Sequence, residues 1–172
     1  MSRKKKDEEE AEKYLKSMMD FMANPSDYVI TGDASVDSLL NFKLQKANDI
    51  LNAVETKITI PDKLILHSFD LNVVLGNLLD NAIEAAAQTE EKKLKIVMKL
   101  EKGILFLSIK NSCQGMVEGK KKSLETTKAD RNNHGIGLKN VQRIIEKYHG
   151  DMELLCDQGN MEVNIMIYIK GL

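Results

Sequence analysis

One long amphipathic segment constrains the fold more than any other feature of the chain. From about Phe69 to Ala87 apolar residues recur every three to four positions, which predicts a helix with one wholly apolar face. The residues of that face are Leu71, Val74, Leu75, Leu78, Leu79, Ala82, Ile83 and Ala86. Because a face of this width must be buried, the chain needs a second layer of structure to cover it.

The other periodic segments supply that layer. Helical patterns are expected at about 8–22, 35–52 and 138–148, and strand patterns at 57–60, 94–100, 104–110, 152–156 and 161–169. Lys102-Gly103 predicts a hairpin turn, and Asp33 and Ser35 are the candidate N-caps of the second helix. Helices and hairpin strands in this order predict an α+β sandwich, with one sheet and helices layered on one of its faces.

Composition excludes several classes of function. A chain of 172 residues has room for one domain and a small appendage, and its net charge of -1 gives no electrostatic footprint for nucleic acid or an anionic membrane. Cys113 and Cys156 lack the paired spacing of a metal site and indicate a reducing compartment. No apolar run approaches the ~20 residues of a membrane span, so we expect a cytoplasmic chain that makes no membrane contact.

Two asparagines lie at the border of the apolar face of the strongest helix. Asn77 and Asn81 are one turn apart, beside Val74 and Leu78, whereas Asp80 points away from the core. Their amide oxygens suit a hydrated Mg²⁺, which keeps several waters and accepts one or two protein oxygens. Taken alone, this segment is better explained as an amphipathic helix whose polar border happens to hold two asparagines.

A glycine-containing turn leads into the last predicted helix. In the segment His134-Gly135-Ile136-Gly137-Leu138, glycines would let backbone N–H groups approach a phosphate, and the helix N-terminus adds partial positive charge. The segment is not a Walker loop, because the Lys-Ser/Thr ending is absent. It follows a loop and not a strand, which argues against a dinucleotide-binding site.

The end of the second hairpin strand carries a third polar signal. Asn111 follows a buried strand, and its carbonyl oxygen could accept a hydrogen bond from an exocyclic amine such as that of adenine. Asparagine and glycine also commonly end strands without any such role. The stretch 112–133 is polar and aperiodic, as expected of a functional lid or a disordered segment.

In this order the three signals resemble the ATP-binding superfamily of gyrase, Hsp90, histidine kinases and MutL, abbreviated GHKL. The segments Gly76–Ala85 and His134–Val141 look like the N box and the second glycine box of histidine kinases, specifically the peptide-sensing, quorum-sensing type. The resemblance implies a Bergerat-type two-layer sandwich with a mixed, mostly antiparallel sheet, helices on one face and an additional N-terminal helix.

The resemblance also implies roles for individual residues, with ATP and Mg²⁺ as cofactors. Asn81 takes the position of the magnesium ligand, and Asn77 that of its partner near the phosphates. Asn111 stands where most of the superfamily has an adenine-reading aspartate. The remaining nucleotide-binding positions are Gly115 of the adenine box, Lys128 of the lid, and His134, Gly135, Gly137 and Leu138 at the phosphates. The cluster 120–122 is an alternative lid cation.

Departures from the family pattern predict weaker nucleotide binding. Asn111 replaces a charged acceptor with a neutral one, and Cys113 stands where the first glycine of that box is expected. Of the third glycine box only Gly159 remains.

The three histidines indicate a fragment. None of His67, His134 and His149 lies on a long dimerisation helix beside an acidic residue, where the family carries its phosphoacceptor. We therefore expect residues 1–26 to be the remnant of a dimerisation helix with its linker, and residues 27–172 to be the ATP-binding catalytic domain. The parent kinase is expected to be anchored in the cell membrane.

The function implied by the resemblance is transfer of the ATP γ-phosphate to a histidine on the dimerisation helix of a homodimeric kinase. From there the phosphoryl group would pass to an aspartate of a response regulator. Two alternatives remain open at this point: an anti-sigma-factor-type serine kinase, and a non-enzymatic module that binds nucleotide or a partner protein. None of these readings involves nucleic acid.

Overall fold

The computed structural model describes residues 3–23, 29–60, 66–114 and 135–169. Its four helices are α1 (Arg3–Ala23), α2 (Ala34–Ile50), α3 (Ser68–Ala87) and α4 (Gly135–Lys147). Its five strands are β1 (Ala53–Thr59), β2 (Lys93–Glu101), β3 (Ile104–Ser112), β4 (Asp151–Asp157) and β5 (Asn160–Tyr168). Each predicted element is present, but β1 begins at Ala53 and not Lys57, and α4 begins at Gly135 and not Leu138.

The strands form one mixed sheet in the order β1-β2-β3-β5-β4. The β1–β2 pair is parallel, because the chain crosses over through α3 between them, and every other pair is antiparallel. Between β2 and β3, Lys102 and Gly103 have φ of +50° and +74°, the backbone of the predicted hairpin turn. The predicted α+β fold with a mixed, mostly antiparallel sheet is confirmed.

The core lies between the helices and one face of the sheet. Alternate residues of β2 and β3 are buried on that face, as period-two patterning requires, and they pack under the apolar face of α3. Asp33 is the N-cap of α2, because one of its carboxylate oxygens accepts from the backbone N–H groups of Ser35 at 3.0 Å and Val36 at 3.1 Å. Its other oxygen accepts from Ser68, which joins the starts of α2 and α3.

None of the helices in the described ranges is long and apolar enough to cross a membrane.

Candidate functional site

The asparagine segment and the glycine segment meet in the fold. The Asn77 side chain donates from Nδ2 to the carbonyl oxygen of Val73 at 2.7 Å, which turns Oδ1 the other way, toward α4. A Cβ at Gly137 would come within 2.6 Å of that Oδ1, so only glycine allows the start of α4 to approach so closely. Residues 60 positions apart in the sequence thus come into contact.

Asn81 lies one turn further along α3 and is half-buried. Its side chain makes no hydrogen bond to any residue in the part of the chain that the structure describes, so its amide groups can serve a ligand. The neighbouring Asp80 is held instead by α2, since Lys43 Nζ lies 2.7 Å and 2.9 Å from its two carboxylate oxygens. The site therefore presents neutral amides beside a carboxylate that is already paired.

Asn111 lies on the helix-facing side of the sheet, near the end of β3. Its side chain is only 2% exposed, and its neighbours on the flanking strands are Leu94 and Met161. Nδ2 donates to the carbonyl oxygen of Ser112 at 2.8 Å, which leaves Oδ1 as the acceptor available to a ligand amine. The sequence suggested a residue just past the strand, whereas the structure places Asn111 inside β3, where its backbone is fixed by two neighbouring strands.

A pair of buried hydroxyls, missed by the sequence analysis, fixes the spacing between α3 and β3. The hydroxyls of Thr89 and Ser112 lie 2.7 Å apart, just after α3 and at the last residue of β3. Thr89 Oγ1 donates to the carbonyl oxygen of Ala86 at 2.8 Å, and Ser112 Oγ accepts from the backbone of Lys93 at 3.0 Å. Because this pair joins the two elements, it fixes how the C-terminal end of α3 lies against the end of β3. Isolated Thr and Ser residues carry no sequence signal for such a contact.

The β4–β5 hairpin completes this edge of the site. Gly159, in the hairpin turn with φ of +79°, accepts a hydrogen bond from the Cys113 backbone N–H at 2.8 Å. The remaining glycine of the expected third glycine box therefore lies beside the strand end that carries Asn111. Burial raises the pKa of the Cys113 thiol, and the nearby Cys156 adds to the effect, so this cysteine is a neutral thiol at pH 7 and not a nucleophile.

The glycine segment differs from its prediction in one respect. Gly135 and Gly137 were expected in a turn before the helix, but both belong to the first turn of α4, and Leu138 packs half-buried against the core. The N–H groups of a first turn have no partner within their own helix, which leaves them available to an anion. Gly115, Lys128 and His134, like the cluster 120–122, lie outside the described residues.

At the other end of α4, a buried carboxylate joins the helix to α3. Asp70 Oδ2 accepts hydrogen bonds from Lys147 Nζ at 2.6 Å and from the Tyr148 hydroxyl at 2.7 Å. The Lys147 and Tyr148 hydrogen bonds lower the pKa of Asp70, outweighing the opposing effect of its burial. We call these three residues the α3–α4 clamp. It lies two turns from Asn77 along α3, so it fixes how α4 lies against the asparagines.

The clamp predicts a pH-dependent stability. Because the folded-state pKa of Asp70 is depressed, its contribution is complete above the ordinary pKa of an aspartate and is lost as the pH falls through the lowered value. Asp70→Asn is expected to reduce the free energy of unfolding at pH 7 by about 1–3 kcal/mol, with a smaller difference from the wild type in acid. Urea unfolding at pH 7 and below pH 4 measures both. Asp49→Asn, an exposed change on α2, is the matched control; an equal loss in both variants would contradict the assignment.

The ligand chemistry of the site fits a hydrated magnesium ion bound together with phosphate. The described ranges contain no group of three or more His, Cys, Asp and Glu residues arranged to hold a metal. The site offers instead the amide groups of Asn77 and Asn81 and the helix N-terminus of α4. Mg²⁺ commonly keeps several waters and takes few protein ligands, with phosphate oxygens filling the other positions.

Comparison with known families and structures identifies the family and the fold. The profile described as GHKL domain matches residues 66–168, the segment that contains α3, α4 and the sheet from β2 to β5. The chain belongs to the GHKL family. No curated protein sequence matched in a separate comparison.

Solved histidine kinases share the fold of this GHKL domain. The Acinetobacter baumannii histidine kinase AdeS aligns with a TM-score of 0.59 at 20% identity, over 92% of this chain and 76% of that one. The mycobacterial sensor histidine kinase MprB aligns with a TM-score of 0.57 at 16% identity, over 80% of this chain and 95% of that one. The catalytic domain of the histidine kinase ThkA aligns with a TM-score of 0.57 at 22% identity, over 81% of this chain and 93% of that one. At these identities the likeness establishes the fold alone.

Proposed function

We propose that this GHKL domain binds Mg·ATP between α3, β3 and α4 and transfers the γ-phosphate to a histidine of a kinase dimerisation helix. The observation that carries the proposal is the close approach of Gly137 to the Asn77 carbonyl oxygen. It brings the start of a helix, which suits phosphate, against the asparagines that suit a magnesium ion. Adenine would then lie toward Asn111, between the sheet and the helix layer.

In this proposal each group of the chain binds or orients the nucleotide. The Asn81 carbonyl oxygen ligates Mg²⁺, and Asn77 holds the neighbouring water or phosphate oxygen. The N–H groups of Gly135, Gly137 and Leu138 face the phosphates, and Asn111 Oδ1 accepts from the adenine amine. Gly115, Lys128 and His134 stay predictions for the same site. When bound, the magnesium ion supplies neutralisation of the phosphate charge.

Transfer requires little covalent chemistry from this chain. The acceptor imidazole nitrogen forms a bond to the γ-phosphorus, the bond from that phosphorus to the β,γ-bridging oxygen breaks, and ADP leaves. The domain contributes positioning and a fixed set of dipoles, the effects that dominate phosphoryl transfer. The base that takes the imidazole proton would lie beside the acceptor histidine, on the dimerisation helix.

The N-terminal helix supports the expected division of the chain. α1 packs on α2 through Tyr14 and Phe42, whose ring centroids lie 5.1 Å apart. Leu15 and Met19 are 60% and 71% exposed, as expected of a helix that another protein segment covers. We therefore propose that residues 1–26 end a dimerisation region and that residues 27–172 are the catalytic domain.

The proposal extends to the parent protein through the resemblance stated above. In this proposal the parent protein is a homodimeric, membrane-anchored kinase of the peptide-sensing type. Its catalytic domain works in the cytoplasm, and its phosphoryl group passes to a response regulator.

Phosphorylation in trans tests the proposal. With labelled ATP alone, the chain should acquire no acid-labile phosphate, because none of His67, His134 and His149 lies in the sequence context of the family's acceptor. A separately purified dimerisation domain that carries the acceptor should become labelled, slowly, since tethering normally supplies a high effective concentration. Asn81→Ala in the same assay is the control for transfer at this site. Acid-stable label on serine would favour the serine kinase, and Mg·ATP binding without transfer to any acceptor would favour the non-enzymatic module.

A further inference from the structure

The face of the sheet turned away from the helices is divided by charge. Its β4–β5 half carries acidic side chains and no basic ones: Asp151, Glu153, Asp157 and Glu162. Its β1–β2 half carries an excess of basic ones: Lys57, Lys93, Lys95 and Lys99, with Glu55 and Glu101. The two halves are separated by β3, the central strand of the sheet, whose charged side chain on this face is Lys110, 3.9 Å from Glu162.

Between the halves, one end of the face is apolar. Ile104 is the cross-strand neighbour of Tyr168, and Phe106 is that of Met166, so the four side chains form a contiguous patch. Ile104, Met166 and Tyr168 are 36%, 41% and 46% exposed. Contiguous exposed apolar side chains rimmed by charge are typical of a surface that another protein covers.

The acidic half also contains a depression rich in hydrogen-bond acceptors. Its lining includes Phe106, Glu153, Glu162, Asn164 and Met166. Asn164 Oδ1 is shielded from solvent, yet it accepts no hydrogen bond from the described residues. A shielded acceptor among carboxylates favours a positively charged donor, and the β4–β5 half itself supplies none. Within the same chain, Lys110 of β3 lies 3.9 Å from Glu162, at the edge of this depression.

We propose that a second copy of this chain covers the face, related by a two-fold axis that runs along β3. Such an axis places β1 of one copy over β4 of the other, and β2 over β5, so that the basic half of each copy meets the acidic half of its partner. A two-fold axis across the strands would instead stack like charges. Charge complementarity therefore selects both the occupant and its orientation.

The strand register identifies the opposing residues. One row across the face runs from Lys57 on β1 through Val97, Ser108 and Asn164 to Glu153 on β4. Rotation about β3 brings Lys57 of one copy opposite Glu153 of the other, twice in the dimer.

In the same arrangement the next row places Lys95 opposite Glu162. Each would add this contact to an ion pair within its own copy, Lys95 with Glu55 at 3.0 Å and Glu162 with Lys110 at 3.9 Å. Lys95 and Lys99 of the second copy lie on either side of Val97, which faces Asn164, and so they can reach the acidic depression. Ile104, Phe106 and Lys110 meet their own copies near the axis, and each Lys110 is compensated there by Glu162 of its own copy.

The size of the face sets the strength of the association. Five strands spaced ~4.8 Å apart and about 25 Å long present roughly 600 Å² per copy. The resulting total of about 1,200 Å² lies at the lower limit of stable protein interfaces. With charges providing much of the specificity, the dimer should be reversible and should weaken as salt screens them.

Charge reversal at one opposing pair tests the proposal. Neither Lys57 nor Glu153 forms an ion pair with another described residue. In a homodimer of Lys57→Glu, and likewise of Glu153→Lys, both contacts become repulsive, so each variant should self-associate at least ~10-fold more weakly than the wild type. An equimolar mixture of the two variants makes both contacts attractive and should restore the dimer.

Sedimentation equilibrium at low and high salt measures all four samples. A wild type that stays monomeric overturns the proposal. A dimer whose affinity neither charge reversal changes also overturns it, because that dimer would be held together by another surface, for example through α1. A mixture that fails to recover the wild-type affinity overturns the two-fold along β3. Because the face lies on the far side of the sheet from α3 and α4, both variants should bind Mg·ATP like the wild type. The result is therefore independent of the proposed kinase activity.

Discussion

Asn81→Ala is expected to lower the affinity for Mg·ATP by two orders of magnitude or more, with little change in stability. Loss of the proposed metal ligand removes its bond to the ion and weakens the bridge from the ion to the phosphates. A ~100-fold loss of affinity corresponds to about 3 kcal/mol of binding free energy. Stability should change by less than about 1 kcal/mol, because the half-buried Asn81 makes no hydrogen bond within the described part of the chain. Isothermal calorimetry with and without Mg²⁺, together with thermal unfolding, separates the two effects.

The same helix supplies a matched control for Asn81. Asn72 lies nine residues earlier, on the opposite side of α3, where its Nδ2 donates to Ser35 Oγ of α2 at 2.7 Å. Asn72→Ala removes an identical side chain and should leave nucleotide affinity unchanged. If the two variants bind Mg·ATP equally well, Asn81 does not belong to the site.

Gly137→Ala is expected to weaken Mg·ATP binding at least tenfold without a matching loss of stability. Alanine in a helix is favoured over glycine by up to ~1 kcal/mol, which acts in favour of the folded state. The added Cβ would nevertheless lie 2.6 Å from Asn77 Oδ1 and 3.3 Å from its Cγ. Either Asn77 must leave its hydrogen bond to Val73, or the start of α4 must move away. Both outcomes displace groups that the proposal assigns to the phosphates.

Gly76 provides the comparison for this substitution. It directly precedes Asn77 on α3, and a Cβ there would meet only Leu39 Cδ2 at 3.9 Å, an ordinary contact. Gly76→Ala should therefore raise the free energy of unfolding and leave the affinity for Mg·ATP unchanged. Calorimetry and urea unfolding on both variants give the test, and a Gly137→Ala variant that binds like the wild type would separate α4 from the site.

Periodicity sufficed to predict the elements that carry the site. The apolar spacing along 69–87 placed Asn77 and Asn81 at the border of the core, and both are half-buried on α3. Periodicity failed to predict the start of β1. The first residues of this edge strand are mostly exposed, so they do not alternate clearly between apolar and polar. Periodicity also misplaced the start of α4, because glycine has low helix propensity and the sequence does not signal the packing of Gly137 against Asn77.

The contacts that hold the site together were beyond sequence reasoning. Asp70 and Lys147 are 77 positions apart, and Thr89 and Ser112 are 23 apart. Each is an ordinary polar residue at the end of a helix or strand, where solvation is the usual outcome. Such pairs become visible only when the packing of α3 on β3 and α4 has brought their elements together.

The burial of Asn111 affects how the domain responds to acidity. A carboxylate at 2% exposure would lose hydration, its pKa would rise, and its charge would vary with pH unless a cation or a strong hydrogen-bond donor compensated. An amide at this position has no proton to gain. If Asn111 reads the base as proposed, that recognition would be uncoupled from proton uptake. The layer between helix and sheet would need no counter-ion at this position when the nucleotide leaves.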